Sequence, residues 1–187
     1  MFKFKCISSY CVDMGNKTYV KAIKDDGNVD LIIYGRHNEV DTLTYMEVEG
    51  KIKNQFKNYL IVDSINIIDR FNSIRGSFLR LSLAMLILEV TYRSNSGLSL
   101  LLEGLNRLKI TDNEKASIFF FYIFLKKNGI FDEKKFNFEE RNLLLQIEKN
   151  NQIRATAAFL RVLKNKLLKE VQAYIGKPLN SLKLLMR

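Results

Sequence analysis

Apolar and polar positions alternate with a period of about two over roughly the first seventy residues, then settle into a helical period for the rest of the chain. Strand side chains alternate between faces and helical ones return about every 3.6 residues, so this is a change of secondary structure. Five strands are predicted. Lys3 to Val12 is the first. Thr18 to Lys24 (TYVKAIK) is the second, with Tyr19 facing opposite to Val20. Asp25-Asp26-Gly27-Asn28 marks a tight turn, and Val29 to Tyr34 (VDLIIY) returns as the other arm of a hairpin that Gly35 ends. Leu43 to Lys53 (LTYMEVEGKIK) is interrupted by Gly50, the mark of a bulge or bend. Tyr59 to Ile68 (YLIVDSINII) is the fifth. Short strands at this spacing, with a glycine inside one of them, point to a small closed barrel of the OB type.

The helical part opens with a long apolar segment, Ser73 to Arg93, followed by Leu98 to Leu108. Thr111-Asp112-Asn113-Glu114 reads as a capping box, Thr111 with Glu114, for a third helix that stops at Asn128-Gly129. Its aromatic run Phe119, Phe120, Phe121, Tyr122 and Phe124 belongs in a core. Asn137 with Glu140 starts a fourth helix ending near Lys149. A fifth, Ile153 to Ile175, carries the stripe Ile153, Ala157, Leu160, Leu163, Leu167, Val171 and Tyr174. Gly176 and Pro178 end it, and Ser181 caps a last short turn. The expected fold class is α+β: an N-terminal OB-fold β-barrel over residues 1–72, followed by an all-α helical domain over residues 73–187.

Charge adds something the periodicity does not contain. The net charge is +10. Residues 1–72 carry ten basic and ten acidic side chains, residues 73–150 twelve and nine, and residues 151–187 eight and one, Glu170. So concentrated an excess suits a polyanionic partner. Arg154, Arg161, Lys164, Lys166 and Lys169 lie off the apolar stripe of the fifth helix and are candidate DNA contacts. On the barrel, Tyr19, Tyr34 and Tyr45 are candidates for stacking on bases, with Lys21 and Arg36 beside them for phosphates.

Chemistry of other kinds finds little footing. Cys6 and Cys11 are the only cysteines and would face opposite ways on an uninterrupted strand. With the single His37 and no CxxC they do not make a closed zinc site, and no cofactor or metal is expected. There is no phosphate loop, and His37 has no evident nucleophile or orienting group. Asp25-Asp26, Asp132-Glu133 and Glu139-Glu140 fall at turns and helix starts, where acids are favoured locally. An enzyme is not expected. The start MFKFKCISSY, with Lys3 and Lys5, opens no apolar run, and the longest such run, Ile118 to Leu125, is too short to span a bilayer. A soluble cytoplasmic protein without a membrane partner is expected.

The C-terminal segment LLKEVQAYIGKPLNSLKLLMR resembles the end of the bacterial DNA-repair protein family RecO. Tyr174, Ile175, Gly176, Lys177, Pro178, Leu179 and Ser181 match its pattern, while Asn180 and Leu182 stand where Lys and Arg are usual. DDGNVDLIIYGRHN is similar to the family's hairpin, ILEVTYRSNSGLSLLLEGLNRL to its first two bundle helices, and FFFYIFLKKNGIF to its helix ending in a glycine-aromatic pair. The stretches run in order along nearly the whole chain. The resemblance implies an OB fold with a helical domain and binding of single- and double-stranded DNA with strand annealing. It also implies docking of the acidic tail of single-strand-binding protein, here on Arg161, Lys169 and Lys177, and work with RecR to help load RecA. Two departures stand out. Residues 132–152 hold no cysteine, so the family's zinc module is absent, and the loop RHNEVDTL after Gly35 is short and weakly basic. The alternatives are an RNA-binding OB-fold protein of translation or ribosome assembly, or a non-catalytic protein adaptor.

Overall fold

The computed structural model describes residues 1–35, 39–51, 59–149 and 155–185. The expectations placed on Arg36, His37, Ile153 and Arg154, and on the end of the fourth strand, lie outside those residues.

Among the described residues five strands, β1 (Phe2–Asp13), β2 (Lys17–Lys24), β3 (Gly27–Tyr34), β4 (Tyr45–Lys51) and β5 (Tyr59–Asp69), close a barrel in the order β1-β2-β3-β5-β4. Neighbours are antiparallel except β3 and β5, which run parallel. This is an OB-fold-like barrel. The expected hairpin is present: Lys24 pairs with Gly27, leaving Asp25-Asp26 as a two-residue turn. Gly50 sits at a register shift in β4, and a Cβ there would lie 2.1 Å from the Ile61 carbonyl oxygen, so no larger residue fits.

Inward side chains, among them Val20, Leu31, Met46, Val48 and Val62, fill the barrel. A second irregularity, between Ser8 and Tyr10 in β1, inserts one residue and reverses the side-chain parity beyond it. Cys11 therefore pairs with inward Val20 and, like Cys6, packs on the barrel interior. The expectation that the two cysteines face opposite ways fails for that reason. Burial raises both thiols, Cys6 to about 12 and Cys11 to about 11, so both stay protonated and unreactive at neutral pH.

The chain then turns helical: α1 (Asn72–Arg75), α2 (Phe78–Ser94), α3 (Leu98–Ile110), α4 (Asn113–Lys127), α5 (Phe138–Glu148), α6 (Ala157–Ile175) and α7 (Leu182–Leu185). The expected segment from Ser73 to Arg93 is broken in two, with Ser77 capping α2 through the Arg80 N–H. Thr111 does not cap α4. Asp112 does, accepting from the Lys115 N–H at 2.9 Å, while the Thr111 hydroxyl donates to the Arg107 carbonyl at the end of α3. The capping box of Asn137 and Glu140 is present, and Thr156, three residues after Ile153, caps α6. Every residue of α4 from Ala116 to Leu125 is buried, as befits the central helix of the bundle, which packs on α3, α5 and α6.

Barrel and helices share an interface. Ile7 and Ile23, paired on the outer face of β1 and β2, are fully buried in the helical core together with Leu43. The tip of the β2–β3 hairpin docks on the α2–α3 turn. There the Asn28 N–H donates to Asn95 Oδ1, and its side-chain amide donates to the Tyr92 carbonyl, both at 2.8 Å. Gly97 makes this approach possible, since its φ is +82° and a Cβ would lie 2.6 Å from the Asp25 carbonyl oxygen. The Arg75 guanidinium reaches Asp41 Oδ1 at 2.7 Å and the Thr42 carbonyl at 2.6 Å. Among the described residues no helix is long and apolar enough to cross a membrane.

Candidate nucleic-acid interface

The outward side of the barrel, beginning at the edge of α2, gathers side chains that the sequence scatters. Strand register aligns Tyr10, Lys21, Asp30 and Tyr59 in one row across β1, β2, β3 and β5. The next row holds Val12, Tyr19 and Ile32, and beyond it Lys17 pairs with Tyr34. Predicted Tyr19, Lys21 and Tyr34 thus share one surface. Tyr10 and Tyr34 present about half of their area to solvent, 52% and 50%. Tyr19 is less free. Its ring meets Tyr59 edge-on, with centroids 5.4 Å apart, and partial burial and the neighbouring Asp30 carboxylate raise its pKa, so the phenol stays protonated. Tyr45 does not join them: it packs against the helical core and leaves the set of stacking candidates.

Charge on this face is sparse. Lys17 and Lys21 have no ion-pair partner among the described residues, and Asp30 stands between the tyrosines. Such a face offers aromatic rings of the kind on which bases stack, but few cations for phosphates.

The second candidate surface is α6, where the apolar stripe is buried at Leu160, Leu163, Leu167 and Val171. Ala157 is exposed, and Tyr174 is partly exposed with its edge on Phe124. The predicted cations divide. Arg161 and Lys169 are exposed and, among the described residues, without an acidic partner. Lys164 is tied to Glu114 of α4 at 2.7 Å, and Lys166 to Glu140 of α5 at 2.7 Å, so both act as ties between helices. Lys177 is exposed just past the Gly176 cap. The residues behind it are anchored: Glu89 of α2 accepts from the N–H groups of Asn180 and Ser181 at 2.9 and 2.7 Å, and pairs with Arg93 at 2.6 Å. Burial alone would raise the Glu89 pKa, but hydrogen bonds from Ser181 and Asn180 and the Arg93 charge outweigh it and hold the carboxyl below its ordinary value.

Two open grooves flank α5. One, of about 290 Å³, lies between Tyr122, Phe131, Phe138, Arg141 and Leu145. The other, of about 430 Å³, runs from Phe138 and Asn142 to Ala155 and Phe159 at the start of α6. Phe138 is 70% exposed at their shared rim.

Sequence reasoning missed Tyr10 and Tyr59. Under strict alternation Tyr10 would share parity with Cys6 and point inward, and only the β1 bulge turns it out. Tyr59 is brought to Asp30 by the parallel β3–β5 pairing, which no local signal announces. Scans of the chain against protein-family models and against curated proteins find no match.

Proposed function

We propose that this chain is a DNA-binding mediator of repair and recombination of the RecO type, acting by binding and partner recruitment rather than by catalysis. The observation that carries the reading is the outward barrel face, where tyrosines and lysines from separate strands lie side by side on an OB-fold-like barrel. Tyr10, Tyr19, Tyr34 and Tyr59 order single-stranded DNA by stacking. Lys17, Lys21, Arg161 and Lys169 neutralise phosphates of single or double strands and release counterions, which lets complementary strands approach and anneal. The acidic tail of single-strand-binding protein is the partner for Arg161, Lys169 and Lys177, its apolar end seated in the groove from Phe138 to Phe159. RecR is the second partner, in loading RecA, and the setting is the cytoplasm. No cofactor enters this scheme.

The test is binding of a fluorescent single-stranded oligonucleotide over a salt series, with competition by an acidic tail peptide and by RNA of equal length. The reading expects salt-dependent binding that the peptide displaces and that RNA does not outcompete. Stronger binding to RNA would shift the chain to the RNA-binding class, and no binding at low salt would leave a protein adaptor.

A further inference from the structure

Between the barrel and α2 lies a cleft of about 390 Å³, within the ordinary size range of a small-ligand site. Its barrel wall is Ser9, Tyr10 and Lys21, and its helical wall is Met85, Leu88 and Tyr92. Asn180 and Ser181 border it from the C-terminal segment. Two tyrosines and two apolar side chains enclose a slot with one cation at its edge. Glu89 also lines the cleft, but its carboxylate is taken up by Asn180, Ser181 and Arg93. The hydroxyl of Ser9 is likewise committed, donating to the Lys21 carbonyl at 2.9 Å.

We propose that this cleft takes a single unstacked base of the bound strand, held between Tyr10 and Tyr92, with its phosphate on Lys21. The proposal rests on the nucleic-acid reading above and gives it a specific seat. Three observations converge on a base as occupant. The cleft is continuous with the outward row, because Tyr10 and Lys21 belong to both. Its walls are aromatic and apolar, which suits a planar ring that is polar only at its edge. Its one uncommitted charge is positive and stands where the row of tyrosines meets the cleft. Among the described residues the Asn180 side chain, which borders the slot, has no hydrogen-bond partner, so it is available to a base edge. A strand lying along the face from Tyr59 toward Tyr10 would thus end by turning one base in toward α2.

The experiment uses the full chain and single-stranded DNA carrying a photoreactive halogenated uracil, with crosslinked peptides mapped by mass spectrometry. Affinities are measured in parallel for Tyr10→Ala and for Asn180→Trp, which fills the cleft from an exposed position. The proposal expects crosslinks on both Tyr10 and Tyr92, loss of the Tyr92 crosslink in Asn180→Trp, and affinity about fivefold to tenfold lower in each variant with unchanged thermal stability. Binding by the unaltered chain with crosslinks confined to Tyr19, Tyr34 or Tyr59, or on Tyr10 without Tyr92, would overturn the cleft as a base site and leave the barrel face standing. No binding by the unaltered chain would remove both.

Discussion

The inner flank and the outer face of α6 carry the same residue types to opposite ends. Lys164 and Lys166 turn toward the bundle and meet Glu114 and Glu140, the latter only 7% exposed at its side chain. Arg161 and Lys169 share the helix with them and are exposed, with no acidic partner among the described residues. Basic residues one or two turns apart thus serve as helix ties on one side and as an available field on the other. A count of charges along residues 151–187 overstates what a polyanion can use, because two of those cations are already neutralised by acids from α4 and α5. The barrel face makes the complementary point: it has few charges, yet its register concentrates aromatic surface.

Removing the inner ties should sharpen the division most. Lys166→Ala leaves the Glu140 carboxylate buried without its cation. With Lys166 itself 35% exposed, the loss should be about 2 kcal/mol, or ~4–8 °C in Tm, read by thermal and urea denaturation. DNA affinity should not change. The reverse pattern belongs to the double variant Arg161→Glu with Lys169→Glu: affinity for single-stranded DNA should fall about tenfold, ~1.4 kcal/mol, with stability within about 0.5 kcal/mol of the parent. A smaller effect concerns the C-terminal anchor, next to the cleft. The Glu89 carboxyl titrates in the folded protein below its ordinary 4.5. Its contribution is therefore fully present above that value and is lost as pH falls through the lowered one. Glu89→Gln should cost about 1 kcal/mol at neutral pH, and the difference from the parent should vanish in strong acid, measured by denaturant titrations across pH. Smallest is Lys164→Met, whose tie to Glu114 is partly solvated; about 0.5 kcal/mol of stability should go and no affinity.

Much of the architecture was legible in the sequence because local chemistry fixed it. Asp-Asp-Gly-Asn made the hairpin, Gly50 marked the bulge that close approach to Ile61 demands, and Asn137 with Glu140 made the capping box. The α4 aromatics were readable as core for the same reason, being apolar on every side. What escaped depends on partners far away in the chain. Thr111 and Asp112 both suit an N-cap, and only the end of α3, whose Arg107 carbonyl takes the Thr111 hydroxyl, decides between them. The β1 bulge has no glycine to announce it, so strict alternation puts Cys11 on the wrong face and gives no sign that Tyr10 points outward. The ties of Lys164 and Lys166 join residues 50 and 26 positions apart, beyond the reach of any local pattern.

The C-terminal motif that carried the resemblance has a plain structural use as well. Asn180 and Ser181 donate their N–H groups to Glu89, and the Pro178 carbonyl accepts from Arg93, so the segment is bound along α2 beside the cleft. Of its matching residues Pro178 and Ser181 are thus tied to the fold, whereas Lys177 is exposed.

The most direct measurement is the salt dependence of single-stranded DNA affinity for three proteins side by side: the parent, Arg161→Glu with Lys169→Glu, and Lys164→Met with Lys166→Met. Each phosphate contact contributes about 0.7 to the slope of log K against log salt on a single strand. The outer pair should therefore flatten the slope by about 1.4, while the inner pair leaves slope and affinity at the parent's values. Equal losses of slope from the inner and outer variants, or a parent that shows no salt-dependent binding, would contradict the account.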